Sequence, residues 1–401
     1  MAIFNMTGVN EAQIGDLKDS IGTLSSKWLA CNGAGVNSAD YPALVPLLQT
    51  ANPTGYTVTL PRANYGSNLL MNAQGAYYYN GRWVVVCNGY NSSTSVTPYK
   101  PVAYSATDLC GEWSEVLLAA SGYFMVGVTY EARWGDWVAF GYKYVSSTEC
   151  YPYIFYASDP AGTWTGYQVS NTCCKIAGGC YADGKLVLVG KGCASENSAY
   201  AYAYVCSGYS ISFTEYNYST AHSQGIRGLT YGNGYWAYAD NSGGLYYATD
   251  PAGAWTRKVI VSSGVQFRGL AYGNGTWSIC GTQNSGGSGR AYYATDITGT
   301  WTSNGVTDVN NNNDQVFYSG GVWVMVANRM GGSSYYFVST DDAHTWTRKT
   351  FSHGTPYCLY ASGGQFVLCT LYGVNVFRRP EYDAPLPILT PRLGTTYIKA
   401  L

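Results

Sequence analysis

Residues 231–239 read YGNGYWAYA, an Asn-Gly pair set between two runs in which apolar and aromatic residues dominate. Asn-Gly supplies the two positive-φ positions of a tight hairpin turn, so the stretch spells two antiparallel strands joined by the shortest possible connection. The same design recurs along the chain as YYNGRWVVV (78–86), RWGDWVAFG (133–141), YADGKLVLVG (181–190), YGNGTWSIC (272–280), YSGGVWVMV (318–326) and ASGGQFVLC (361–369). Counted from Trp83, Trp137, Leu186, Trp236, Trp277, Trp323 and Phe366, the copies are spaced between 41 and 54 residues.

A second element follows each copy but the last: YSATDLCGEW (104–113), YASDPAGTW (156–164), YYATDPAGAW (246–255), YYATDITGTW (292–301), FVSTDDAHTW (337–346) and a degenerate YVCSGYSISF (204–213). In the five clear copies an Asp precedes a Trp by five residues: Asp108 and Trp113, Asp159 and Trp164, Asp250 and Trp255, Asp296 and Trp301, Asp341 and Trp346. A carboxylate there can accept backbone N–H bonds across a turn while the indole pins the hairpin to the core. Each unit thus holds two hairpins, or four short strands. Such units cannot bury their faces alone and stack radially, which predicts an all-β, seven-bladed propeller over residues 69–378.

Composition agrees with this reading. Of 401 residues only 11% are charged, against roughly 25% in an ordinary soluble domain, while Tyr numbers 40 and Gly 49, a balance that disfavours helix. A net charge of −1 lacks the basic footprint of a nucleic-acid binder, so no nucleic-acid partner is expected. No apolar run approaches the roughly 18 residues of a membrane helix, so no membrane insertion is expected. The opening MAIFNMTGVNEAQ lacks the basic start and apolar stretch of a secretory signal, and synthesis in a cytoplasm is expected.

The twelve cysteines have no zinc-finger spacing, and three histidines offer little help. They are either small buried hydrophobes or thiols that oxidise after release from a reducing compartment. Hairpin arithmetic pairs two sets. A turn centred on Asp183 and Gly184 sets Cys174 opposite Cys193, and one centred on Gly363 and Gly364 sets Cys358 opposite Cys369. Both are candidate disulfides where the register is non-hydrogen-bonded.

The second element resembles the Asp-box, or BNR repeat, of sialidases and binding propellers. Ser339, Asp341 and Trp346 come nearest to that pattern, with Ala343 where it prefers Gly; the other clear copies shift the Gly by one, to Gly111, Gly162, Gly253 and Gly299. In that family the motif is structural, which implies that the five Asp residues are fold markers. The termini carry another resemblance. Gly15-Asp16, Trp28-Leu29, Cys31-Asn32-Gly33, Tyr41, Leu44 and Leu60-Pro61 are similar to the phage tail collar domain, although its Arg-Gly-Arg run is missing and only Arg62 and Gly66 trace it. Ser38 can cap a short helix over residues 39–50. LPILTPRLGTTYIKAL (386–401) resembles the end of collar-type tail-fibre proteins. The resemblance implies that residues 1–68 and 379–401 attach to other virion tail proteins; they are either two parts of one small α+β domain split by the propeller, the simpler geometry, or two independent small pieces that flank it. It also implies a homo-oligomer, trimeric in the family.

Candidate chemistry is sparse. A sialidase needs three converging arginines, a Tyr nucleophile with a Glu neighbour and an Asp acid/base, and its Arg-Ile-Pro signature is absent. No pair of carboxylates stands out for ordinary glycoside hydrolysis. No catalytic residue, cofactor or metal is therefore expected; the run DVNNNND (308–314) is oxygen-rich but lacks calcium-loop spacing and reads as a solvated loop. Nine residues before each repeat aromatic stand Gln74, Val128, Ala177, Arg227, Arg268, Asp314 and Tyr357. Arg227 and Arg268, on neighbouring blades, either fork around an anion or sugar carboxylate or pair with Asp314 and Tyr rings. Tyr357 shares that position. Tyr142, Tyr144, Tyr151 and Tyr153 in GYKYVSSTECYPY offer rigid contact area for a ligand, or pack between blades. The expectation is a virion tail-fibre or receptor-binding protein that holds a host-surface glycan or another receptor. The alternatives are a tail decoration making protein–protein contacts and, third, a sialidase-like hydrolase.

Overall fold

The computed structural model describes residues 17–20, 28–30, 35–36, 56–58, 69–91, 100–107, 112–193, 200–218, 225–283, 288–306, 312–328, 334–351, 356–362, 365–370, 373–378, 384–385 and 395–399. The chain divides into two compact units: residues 1–56 with 377–401, and residues 57–376. In the first, Leu17–Ser20 and Trp28–Ala30 both pair antiparallel with Thr395–Lys399, and Gly35–Val36 pairs with Ala384–Pro385. The helix expected over residues 39–50 lies outside the described residues.

The second unit is an all-β propeller. Six of its sheets are each built from four consecutive antiparallel strands. A further four-stranded sheet takes three consecutive strands, Pro356–Ser362, Gln365–Thr370 and Gly373–Arg378, and adds Tyr56–Val58 as its outermost member. The expectation that every blade comes whole from residues 69–378 is thereby corrected. The sequence places residues 56–58 in the N-terminal part, because no repeat motif marks them and the pairing that adds them to this sheet is with strands some 300 residues away.

The first strands of the sheets are Leu69–Tyr79, Tyr123–Glu131, Cys174–Ala182, Ile226–Gly232, Val265–Gly273, Asn312–Ser319 and Pro356–Ser362. Each contacts the next, and the last contacts the first, so they form the inner wall of a ring. The hairpin turns have the conformation their residues demand. Asn80, Asp183, Asn233 and Asn274 sit at φ of 45–47°, each followed by a positive-φ glycine. The repeat residues Trp83, Trp137, Leu186, Trp236, Trp277, Trp323 and Phe366 are all buried. Tyr78, Tyr231, Tyr272 and Tyr318 stand directly across the hairpin from their tryptophans, ring centroids 4.9–5.1 Å apart and tilted 44–53°. Such a pair contributes about 0.5–1.5 kcal/mol beyond its buried area.

The second blade departs from this design. Its turn runs from Glu131 to Asp136, and the Glu131 carboxylate, fully buried, accepts hydrogen bonds from Arg133 Nε at 2.5 Å and the Trp134 amide at 2.6 Å. Losing Arg133 would strand a buried charge.

Every inner strand carries a β-bulge, and glycines beside the bulges let neighbouring inner strands touch through backbone. A Cβ on Gly75 would lie 2.6 Å from Gly127 Cα, one on Gly178 would lie 2.5 Å from the Gly228 carbonyl carbon, and one on Gly269 would lie 2.7 Å from Gln315 Cα. Turn glycines such as Gly275 face open space at φ 78°. Gly275→Ala should therefore cost only the left-handed backbone penalty of about 1–2 kcal/mol. Gly269→Ala should cost more, because backbone of the next blade must move. Thermal denaturation of the two variants should show the lower Tm for Gly269→Ala; equal losses would contradict the close-contact argument.

Candidate functional site

The bulges decide which side chains face the centre of the ring. Between Ala73 and Gly75 the register shifts and Gln74 is the extra residue of the bulge; Val126, Ala177, Arg268, Asp314 and Tyr357 are the extra residues on their strands. On the fourth inner strand Gly228 and Leu229 oppose one residue, Tyr238, and Gly228 has φ 63°. A bulge re-aims the side chain of its extra residue. Five of the seven positions nine residues before the repeat aromatic are thus the bulged residues themselves. In the second blade the longer turn moves the bulge to Val126, two before Val128, and in the fourth it falls just after Arg227.

Gln74, Val126, Ala177, Gly228, Leu229 and Arg268 line a central cavity of about 520 Å³ to which all seven inner strands contribute. Its two ends differ in chemistry. Gln74, Arg227, Arg268 and Gln315 lie in the half of the strands that carries the bulges, while Tyr77, Phe317 and Tyr360 follow two or three residues further along. Tyr77 and Tyr360 have ring centroids 5.1 Å apart, and Tyr360 and Phe317 5.8 Å. Burial raises the Tyr77 hydroxyl above its ordinary pKa, and it hydrogen-bonds with Thr129 and Tyr360. Cys180, half-buried beside them, has its thiol pushed up to about 12 by desolvation. This end stays uncharged near neutral pH.

The other end is cationic. Arg227 is exposed and Arg268 half-buried, on adjacent inner strands, and both line the cavity. Arg268 Nη2 lies 3.5 Å from Gln266 Oε1, and Gln315 Oε1 accepts the Leu359 amide, tying the sixth inner strand to the seventh. Among the described lining residues none is Asp or Glu. Asp314 and Tyr357 occupy bulges by their backbone, but their side chains lie outside the described residues. Sequence reasoning located the two arginines and missed Gln315, Tyr77 and Tyr360. The signal for them was available: they stand one to three residues beyond the bulge position.

The other candidates lie elsewhere. Tyr142 stacks across the strand on Phe124, centroids 5.3 Å apart, and the Tyr151 hydroxyl donates to Glu149 Oε1 at 2.6 Å. Tyr144 is half-buried, its amide bonded to the Gly122 carbonyl, and Tyr153 packs on Tyr123 and Phe155. None of them lines the cavity, although their hairpin, 146–149, sits at the same end of the strands as the bulges. Residues 308–311 lie outside the described residues, and Asn312–Asp314, expected as loop, begin a strand.

The Asp turns are structural where described. Asp159, Asp250, Asp296 and Asp341 each accept a backbone N–H two or four residues on, at 2.9–3.2 Å. Trp164, Trp255, Trp301 and Trp346 donate their indole N–H back into the same turns at 3.1–3.3 Å. Trp113 is buried, and Asp108 lies outside the described residues. The carboxylates also latch blades together: Arg82 to Asp159 at 2.7 Å and Lys185 to Asp250 at 3.1 Å each join a hairpin to the following blade.

One cysteine pairing is corrected. The bulge at Ala177 shifts the register by one, so Cys174 faces Gly192 and its thiol is free, while Cys193 comes beside Cys173. Cys358 and Cys369 do stand opposite each other in the ladder, but their side chains lie outside the described residues.

No family model matches the chain, and no curated protein matches it. Among solved structures the chain is similar to YCF48 from Cyanidioschyzon merolae, at TM-score 0.53 and 13% identity over 82% of this chain and 99% of that one. It is also similar to a xyloglucanase from Xanthomonas campestris, at TM-score 0.53 and 12% identity over 80% of this chain and 52% of that one. A chain of the Mitotic Checkpoint Complex matches at TM-score 0.53 and 9% identity over 81% and 94%. These likenesses show the propeller fold.

The turn carboxylates make stability depend on pH. The Ala252 amide and then Lys185 hold Asp250 below its ordinary pKa. Burial pushes Asp341 up, but hydrogen bonds from Thr345 and Ser339 outweigh it and hold that carboxyl down too. Stability from a lowered carboxyl is complete above the ordinary value near ~4 and is lost as pH falls through the lowered one. Asp250→Asn should therefore lower Tm at pH 7, with the deficit shrinking by pH 3. A deficit unchanged across that range would contradict the assignment.

Proposed function

We propose that this chain is a non-catalytic, seven-bladed binding propeller, counting the composite sheet as the closing blade, that serves as a tail-fibre or receptor-binding component of a phage virion. Its ligand is a host-surface glycan bearing a carboxylate. The observation that carries the reading is the pair Arg227 and Arg268, set on adjacent inner strands at the bulge-bearing end of one cavity. Guanidinium groups match a carboxylate in shape and charge, and a hydrogen bond to a charged group contributes about 1.5–3 kcal/mol. Gln74 and Gln315 add neutral donors and acceptors at the same end, suited to sugar hydroxyls. The virion assignment rests on the collar-like residues of the two termini, which would hold other tail proteins and a homo-oligomer.

Cleaving an ordinary glycoside takes two carboxylates flanking the bond, whereas this reading asks only for donors and acceptors to a bound sugar, which Arg227, Arg268, Gln74 and Gln315 supply. The test is binding of the purified chain to immobilised acidic polysaccharide, with the de-acidified polymer as control. Binding should weaken with salt, and Arg227→Ala with Arg268→Ala should weaken it at least 10-fold while leaving Tm within a few degrees. Unchanged binding in the double variant would overturn the site. Release of sugar from the polymer would replace the reading with a hydrolase.

A further inference from the structure

Three thiols meet where the second and third blades adjoin, and neither the cavity nor the Asp turns use them. Cys150 lies on Glu149–Ala157 of the second blade; Cys173 and Cys193 flank Cys174–Ala182 and Lys185–Gly192 of the third. The Cys150 amide donates to Cys173 Sγ at 3.4 Å, Cys173 Sγ donates to the Thr148 carbonyl at 3.2 Å, and Cys193 Sγ donates to the Cys150 carbonyl at 3.6 Å. The Cys193 thiol is also in hydrogen-bond contact with the thiols of both other cysteines. All three are reduced here; Cys150 is buried, and Cys173 and Cys193 are half-buried.

We infer that Cys150 and Cys193 are a thiol-oxidation site that closes as a disulfide between the second and third blades, with a low-molecular-weight disulfide as oxidant. Cys193 has two neighbours, and the ladder selects between them. The Cys193 amide donates to the Cys173 carbonyl at 3.4 Å, just beyond the last ladder pair; this is one of the two bonds of a hydrogen-bonded antiparallel pair, the register in which side chains stand further apart than in the alternate pairs. Cys150 belongs to another sheet and is under no such restraint.

The chemistry balances as two exchanges. Cys193, the more exposed of the two, gives up its proton and attacks one sulfur of the oxidant, forming a mixed disulfide and expelling one small thiolate; its contact with Cys150 and its burial hold its thiol above the ordinary value, so this first exchange is the slow one. Cys150 then attacks the Cys193 sulfur, the S–S bond to the small thiol breaks, and a second small thiolate leaves. The two cysteine protons end on the two released thiols; the cysteines are oxidised by two electrons and the oxidant is reduced by two. Cys150 suits the second step by position, beside the Cys193 sulfur, and the charge of Lys175 favours its thiolate against the effect of burial once the Cys193 proton is gone.

The experiment exposes the full chain to oxidised glutathione, then digests it with chymotrypsin without reductant. Cleavage at Tyr156, Trp164 and Tyr167 separates Cys150 from Cys173, which trypsin would leave on one peptide. The expected product is a Cys150–Cys193 cross-linked peptide lighter by two hydrogens than its reduced parts, with a Tm several degrees higher that dithiothreitol reverses. Cys173→Ser should keep the cross-link and Cys193→Ser should lose it; if Cys193→Ser does not fold, the map of the unaltered chain decides. A Cys173–Cys193 link, a glutathione adduct that stalls on Cys193, or two unmodified thiols would each overturn the inference.

Discussion

Backbone-to-backbone contact between inner strands is the constraint on which this propeller depends. Gly75 against Gly127, Gly178 against Gly228 and Gly269 against Gln315 leave no room for a Cβ. Strands that approach so closely bring the blades near enough for their apolar faces to share cores. One such core joins Val187, Val189 and Val205 of the third blade to Trp236 and Tyr238 of the fourth. The bulge beside each contact also turns one side chain toward the axis. Packing and the candidate site therefore have one origin: the irregularity that lets the ring close decides what the ring presents.

Much of this was legible in the sequence, for a physical reason. A two-residue turn needs positive φ twice, so Asn80-Gly81, Asp183-Gly184, Asn233-Gly234 and Asn274-Gly275 announce their hairpins, and a Tyr paired with Trp across the turn, or with Leu186 in the third blade, announces the register. Because the bulge sits at a nearly constant distance from the turn, counting back from Trp83, Leu186 and Trp277 found Gln74, Ala177 and Arg268 without any structure. The count failed where the turn changed length, before Trp137.

What was not legible is non-local. The same bulge at Ala177 that fills a channel position moves Cys174 off Cys193, because an added residue in one strand shifts everything beyond it. Hairpin arithmetic treats strands as regular and cannot see that shift. The Cys150 contact is harder still, since it joins different blades and no spacing rule spans two sheets. The floor of the cavity was missed likewise: Tyr77, Phe317 and Tyr360 meet only because three inner strands converge.

The closing sheet carries a consequence for how the molecule comes into being. Tyr56–Val58 is synthesised before any strand of the six contiguous blades, yet its sheet also contains Gly373–Arg378. About 300 residues must emerge from the ribosome before that edge finds its partners. Blades built from consecutive strands can form in order as they appear, each with local contacts; the seal cannot. Until the last sheet is made, the growing protein is an open arc with an uncovered apolar blade face at each end, and its life as an arc lasts as long as its own translation.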